Sequence, residues 1–171
     1  MRIVSGLVLL MLVAVGAAAQ PAPAKARPDF SGTWAFDQMK SAQPGPDGKV
    51  MLAAMLGDEF IARQDSVTLA FTITAGSLRV EAAYKLDGSE SRNTSPGAYG
   101  QPAVDVISRA SWEGDTLVIV SSSVSVLLGQ HVPIQTRRVL RIDPGGNLII
   151  ERTGTPVSEV PPTRGVYRKV Q

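Results

Sequence analysis

From Phe60 onward apolar and polar residues alternate with a period of two, and this pattern demands strands. Val67, Leu69, Phe71 and Ile73 face one way, against Thr68, Ala70, Thr72 and Thr74. Gly76 turns the chain, and Leu78, Val80, Ala82, Tyr84 and Leu86 repeat the pattern up to Asp87-Gly88, a strong hairpin signal. Ser89 to Thr94 reads as a short edge strand and Ser95 to Pro102 as a loop. Val104, Val106, Ser108, Ala110 and Trp112 share the next face, and Glu113-Gly114-Asp115 turns into a β-branched and serine run, Thr116 to Val126. Leu127 to Val132 reads as a loop, Ile134 to Ile142 as a strand, and Asp143-Pro144-Gly145-Gly146-Asn147 as a tight turn. Strands over Leu148 to Thr153 and Arg164 to Val170 complete the series, around an irregular Thr155 to Pro162.

Upstream, Asp29-Phe30-Ser31-Gly32-Thr33-Trp34-Ala35-Phe36-Asp37 carries an opening strand, Gly32 to Asp37, that sends one large aromatic into a core. Gln38 to Lys49 reads as loop, and Val50 to Leu56 as one or two helical turns stopped by Gly57, plugging or covering a barrel end. The expectation is an all-β fold of about eight to ten short antiparallel strands, up-and-down, with at most one short helix. Such a sheet hides its edges best by curling into a barrel, with a β-sandwich as the alternative.

The N-terminus reads as an export signal: Met1-Arg2, an apolar run from Ile3 to Val15, then Gly16-Ala17-Ala18-Ala19. The expected division is a signal peptide over 1–19, a disordered Pro/Ala-rich lead over 20–28 and one barrel domain over 29–171. The apolar run is short for a span, so no membrane segment remains after cleavage, and a periplasmic or secreted monomer is expected. The chain holds no cysteine, which excludes both disulfides and lipid attachment through an N-terminal Cys. Its net charge is +2 and falls to about +1 without Arg2. No Lys/Arg cluster tracks a phosphate backbone, so no nucleic-acid partner is expected.

At Phe30-Ser31-Gly32-Thr33-Trp34 the chain resembles the F-x-G-x-W opening of the calycins, the group of lipocalins and fatty-acid-binding proteins. Similarity to small exported bacterial lipocalin-like proteins extends through Tyr84-Lys85-Leu86-Asp87-Gly88, Ser111 to Val118 and Val166-Tyr167-Arg168-Lys169. The resemblance implies that Gly32 and Trp34 close one barrel end, with Arg168 of the last strand lying across the indole as a cation–π partner. Two departures stand out. Arg164 and Tyr167 do not reproduce the Arg-x-Tyr carboxylate site of fatty-acid-binding proteins, and the second lipocalin motif, a Thr-Asp-Tyr stretch, is missing.

No catalytic residue, metal site or cofactor is assigned. His131 is the only histidine, so a zinc site fails on inventory. A couple with Ser121, Ser122, Ser123 or Ser125 would be the only route to a hydrolase. Asn93-Thr94-Ser95 spells a glycosylation acceptor, discounted for a bacterial chain and for the Pro96 that follows. Arg138, in phase with Ile134, Leu140 and Ile142, and Arg152, in phase with Leu148 and Ile150, would put two guanidiniums in the lumen to hold an anionic head group. The alternative for both is a strand end at the mouth, paired with Glu151 or Asp143. With Phe71, Ile73, Tyr84 and Trp112 these arginines are the expected lumen residues. Val67, Leu69, Val80 and Val106 are expected to complete the lining. The reading is a binding module for a small hydrophobic or amphipathic ligand, with a side-chain-filled envelope interaction domain as the alternative.

Overall fold

A computed structural model of the chain describes residues 26–44, 50–51, 55–76, 78–96, 102–127, 129–155 and 163–170. The expected signal peptide, most of the lead, and the cores of the loops at 95–102 and 155–162 lie outside the described residues. The opening strand β1 (Gly32–Phe36) runs into a one-turn helix, α1 (Gln38–Ser41), and a small ribbon of β2 (Gln43–Pro44) and β3 (Val50–Met51). Nine strands follow: β4 (Glu59–Gln64), β5 (Thr68–Ala75), β6 (Leu78–Lys85), β7 (Glu90–Ser95), β8 (Val104–Glu113), β9 (Thr116–Leu127), β10 (Gln130–Ile142), β11 (Leu148–Thr155) and β12 (Thr163–Val170).

Ten of these strands form one antiparallel sheet in the order β6-β5-β4-β1-β12-β11-β10-β9-β8-β7. A single continuous sheet excludes the sandwich. The first and last strands are neighbours, with Phe36 opposite Tyr167 and Trp34 opposite Lys169. The two edges, β6 and β7, meet across the turn at Leu86–Ser89 and nearly close a barrel. Asp87-Gly88 therefore does not open a laddered hairpin. Side chains supply the rungs instead: Ala83 N donates to Asn93 Oδ1 at 2.8 Å, Asn93 Nδ2 donates to Ala83 O at 3.0 Å, and Lys85 N donates to Ser91 Oγ at 2.9 Å. An amide group that both accepts and donates copies a backbone rung, so at Ala83 and Lys85 the gap between the edges is bridged without a ladder.

The core gathers at one end. Trp34 is 1 % exposed, and its indole N–H donates to Phe30 O at 2.8 Å, so its one polar atom is satisfied. It shares one buried cluster with Phe30, Phe60, Leu69, Leu117, Leu140, Leu148 and Ile150. Along β9 the inward residues change from Leu117 and Ile119, both buried, to Ser121, whose hydroxyl bonds Ser108 Oγ at 2.8 Å, and then to half-buried Ser123 and Ser125. The barrel is packed at the Trp34 end and lined by small polar groups at the other.

Several expectations need correction. The basic residue over Trp34 is Lys169, its Nζ 5.6 Å from the ring centroid, while Arg168 is exposed opposite Ala35. Facing residues in an antiparallel ladder share a side, so the partner in register with position 34 has to be residue 169. The helix expected at Val50 to Leu56 is absent at its described ends: Val50–Met51 is strand, and Met55 bridges to Gly57. The helix falls at Gln38–Ser41, where Asp37 caps it by accepting from Lys40 N at 3.0 Å. Leu127 to Val132 is not a six-residue loop, because Gly129 (φ +78°) lets the chain turn within two residues. At the described end of the lead, Gln64 Nε2 donates to Pro28 O at 3.1 Å and Arg27 lies 5.3 Å over Trp112.

Gly32 has φ +138°, a conformation that a side chain strains, and an added Cβ would meet Lys169 Cε. That atom ends a flexible chain and can move, so the backbone term decides the cost. Gly32→Ala should lower the unfolding free energy by ~1–3 kcal/mol in urea titrations; an unchanged midpoint would show that β1 relaxes freely.

Candidate ligand-binding site

The hollow end of the barrel contains a cavity of about 270 Å³. Its position follows from strand parity. Inward positions on β5 and β6 give an apolar wall of Phe71, Ile73, Val80 and Ala82. Across from them Asn93, Ser121, Ser123 and Thr136 present amide and hydroxyl groups. Met55 and Leu56, from the segment after β3, also line it, and the Leu56 N–H is fixed by donating to the Tyr167 hydroxyl at 3.0 Å. Met55 and Leu56 thus stand at the hollow end, where the sequence placed a helical plug or lid, as bridge and turn residues.

Two cations enter this space. Arg138 on β10 and Arg152 on β11 are direct cross-strand partners and both line the cavity. Arg138 Nη2 donates to Tyr84 Oη at 2.7 Å, and its guanidinium carbon lies 5.3 Å from the Tyr84 ring centroid. Neither arginine is paired with a carboxylate among the described residues. The carboxylates considered for them are engaged elsewhere: Glu151 binds Arg141 on the outer face at 3.1 Å, and Asp143 accepts from the Asn147 N–H and side-chain amide within its turn. Those bonds hold the Asp143 carboxyl below the ordinary carboxylate range, led by the Asn147 amide.

Like charges placed directly opposite one another on a sheet repel. The site is therefore preset to accept an anion, with hydroxyl and amide groups nearby and an apolar wall facing it.

Of the residues expected in the lumen, the structure brings together Phe71, Ile73, Tyr84, Arg138 and Arg152, with Val80 and Val106. Trp112 is not among them. It belongs to the packed end, stacked on Phe30 with centroids 5.8 Å apart and planes 5° apart, and its buried N–H has no partner among the described residues. Leu69 is likewise core, and Val67 is 63 % exposed in a turn organised by Asp65 Oδ1. His131 is exposed on the outward face opposite Val126, whereas Ser121, Ser123 and Ser125 face inward; Ser122 faces outward too but lies opposite Gln135, four positions along β10 from His131, so no nucleophile–base couple forms. Among the described residues no group of three metal-ligating side chains occurs, and no helix is long and apolar enough to cross a membrane. Asn93 was missed as a structural and lining residue. Its signal was a polar residue in the inward phase of an edge strand.

No family model matches the chain, and no curated protein matches it. Among solved structures it is similar to the crystal structure of a mutant of the fluorescent protein UnaG. The identity is 23 %, the TM-score 0.50, and the match covers 83 % of this chain and 96 % of that one. The likeness is one of fold, a calycin-like β-barrel.

Proposed function

We propose, from a calycin-like barrel that is hollow at one end, that the protein binds a small amphipathic anion inside the cavity. The observation that carries this reading is the pair Arg138 and Arg152, both lining the cavity, the first half-buried and the second exposed, and neither neutralised by a carboxylate among the described residues. The anionic group lies between the guanidiniums, and the apolar body rests on Phe71, Ile73 and Val80. A volume near 270 Å³ lies at the lower edge of the range of small-molecule pockets, roughly 300–1,000 Å³, and so favours a compact ligand. The leader pattern over 1–19 supports action outside the cytoplasm, in the periplasm or the medium.

The test is a fluorescence titration with 8-anilinonaphthalene-1-sulfonate, a compact amphipathic anion. The native protein should bind it, and Arg138→Gln should weaken binding about 10- to 100-fold, the worth of one charged hydrogen bond. Filling the space with Ile73→Trp should also abolish the signal while the melting temperature holds. Binding indifferent to both changes would place the probe on the surface and overturn the proposal.

A further inference from the structure

We infer that the charged wall selects a doubly charged tetrahedral head, a phosphate monoester on a compact apolar body, over singly charged anions. The inference rests on the anion-binding reading above and sharpens it. Three features carry it. The cavity holds two formal positive charges and, among the described residues, no acid or histidine lines it. The carboxylates of the flanking strands face outward, where Glu81, Glu113 and Glu151 meet Arg79, Arg137 and Arg141. A single negative charge would leave one guanidinium uncompensated beside its like-charged partner, whereas a dianion neutralises both.

Donor geometry points the same way. Tyr84 Oη accepts from Arg138, which leaves the phenol proton free to donate into the cavity, since no acceptor for it occurs among the described residues. Thr136 precedes Arg138 by two positions on the same face and adds a hydroxyl. Two guanidinium forks and two hydroxyls offer more donors than a carboxylate has oxygens, and they match the three terminal oxygens of a phosphate ester. The apolar wall opposite excludes a bare inorganic ion as the best occupant, because Phe71, Ile73 and Val80 would stay uncovered.

The experiment is calorimetric titration with octyl phosphate, octyl sulfate and inorganic phosphate at about pH 7.5, where the phosphate ester is mostly dianionic. Sulfate keeps the tail and the tetrahedral head but carries one charge. Octyl phosphate should bind at least about tenfold tighter than either. Its affinity should fall when the pH is lowered to about 5, below the second phosphate ionisation near 6, while octyl sulfate stays level. The titratable and charged groups facing the head are Arg138, Arg152 and Tyr84.

Arg138→Gln and Arg152→Gln should each bring octyl phosphate down to the sulfate level without lowering the melting temperature of the free protein. Equal binding of octyl phosphate and octyl sulfate overturns this inference and leaves the anion carrier standing. Inorganic phosphate binding as tightly as the ester overturns the ester assignment. No binding of either octyl compound overturns this inference and the function it rests on.

Discussion

Trp34→Ala should lower the unfolding free energy by about 3–5 kcal/mol, measured by urea denaturation. Three losses combine. The indole is 1 % exposed, so its removal leaves a cavity in the buried core cluster that a β-sheet wall cannot collapse to fill. The N–H bond to Phe30 O disappears, which leaves that carbonyl without its partner from the indole. The Lys169 ammonium also loses the ring face on which it rests 5.6 Å from the centroid, a contact that helps tie the last strand to the first. Trp34→Phe should recover most of the packing and lose the hydrogen bond, falling between the two. A loss under roughly 1 kcal/mol for the alanine variant would mean the indole contributes no core.

The second large effect is set by pH. Tyr167 is completely buried, with Phe60 5.0 Å and Phe36 5.4 Å away between ring centroids. Burial raises its hydroxyl pKa to about 12, against the lowering influence of the backbone bonds at Leu56 and Met55. In the unfolded chain the same phenol ionises near 10. The folded form therefore holds its proton more tightly, which stabilises it by roughly 2–3 kcal/mol below pH 10. That stability is lost as the pH rises from about 10 to about 12. Tyr167→Phe cannot ionise. It should start lower by about 1–3 kcal/mol at neutral pH, because the Leu56 N–H loses its acceptor, and should then lack this alkaline loss. Unfolding free energies of the two proteins against pH should converge above pH 10. Parallel curves would show that the phenol reaches solvent in the folded state.

Strand parity was legible from sequence because each side chain alternates with its neighbours whatever the sheet does next. That is why Arg138, Arg152, Tyr84, Phe71 and Ile73 could each be put in phase with apolar neighbours, while a strand-end position at the mouth stayed open for the two arginines. Height along the barrel could not be read. Trp112 is in phase with Val106 and Ser108, yet it ends in the packed floor against Phe30, and only the stagger of the strands decides this. Register was equally hidden: Lys169 stands over Trp34 in place of Arg168 because of a one-residue choice made by the β1–β12 ladder. The same holds for Arg138 beside Arg152, whose adjacency is the core of the candidate site and belongs to no single strand. Val50 and Met51 were misread because helix-forming side chains are a weak preference that pairing with Gln43 and Pro44 overrides.

The meeting of β6 and β7 has a consequence for how this molecule can change. Everywhere else around the circumference the closure is written in main-chain atoms, which no substitution short of proline can erase. At Asn93 and Ser91 it is written in side chains, and each can be replaced by a single codon. The tube can thus be slit lengthwise by mutation while every other pair of strands stays zipped, so its girth is a heritable variable separate from its fold.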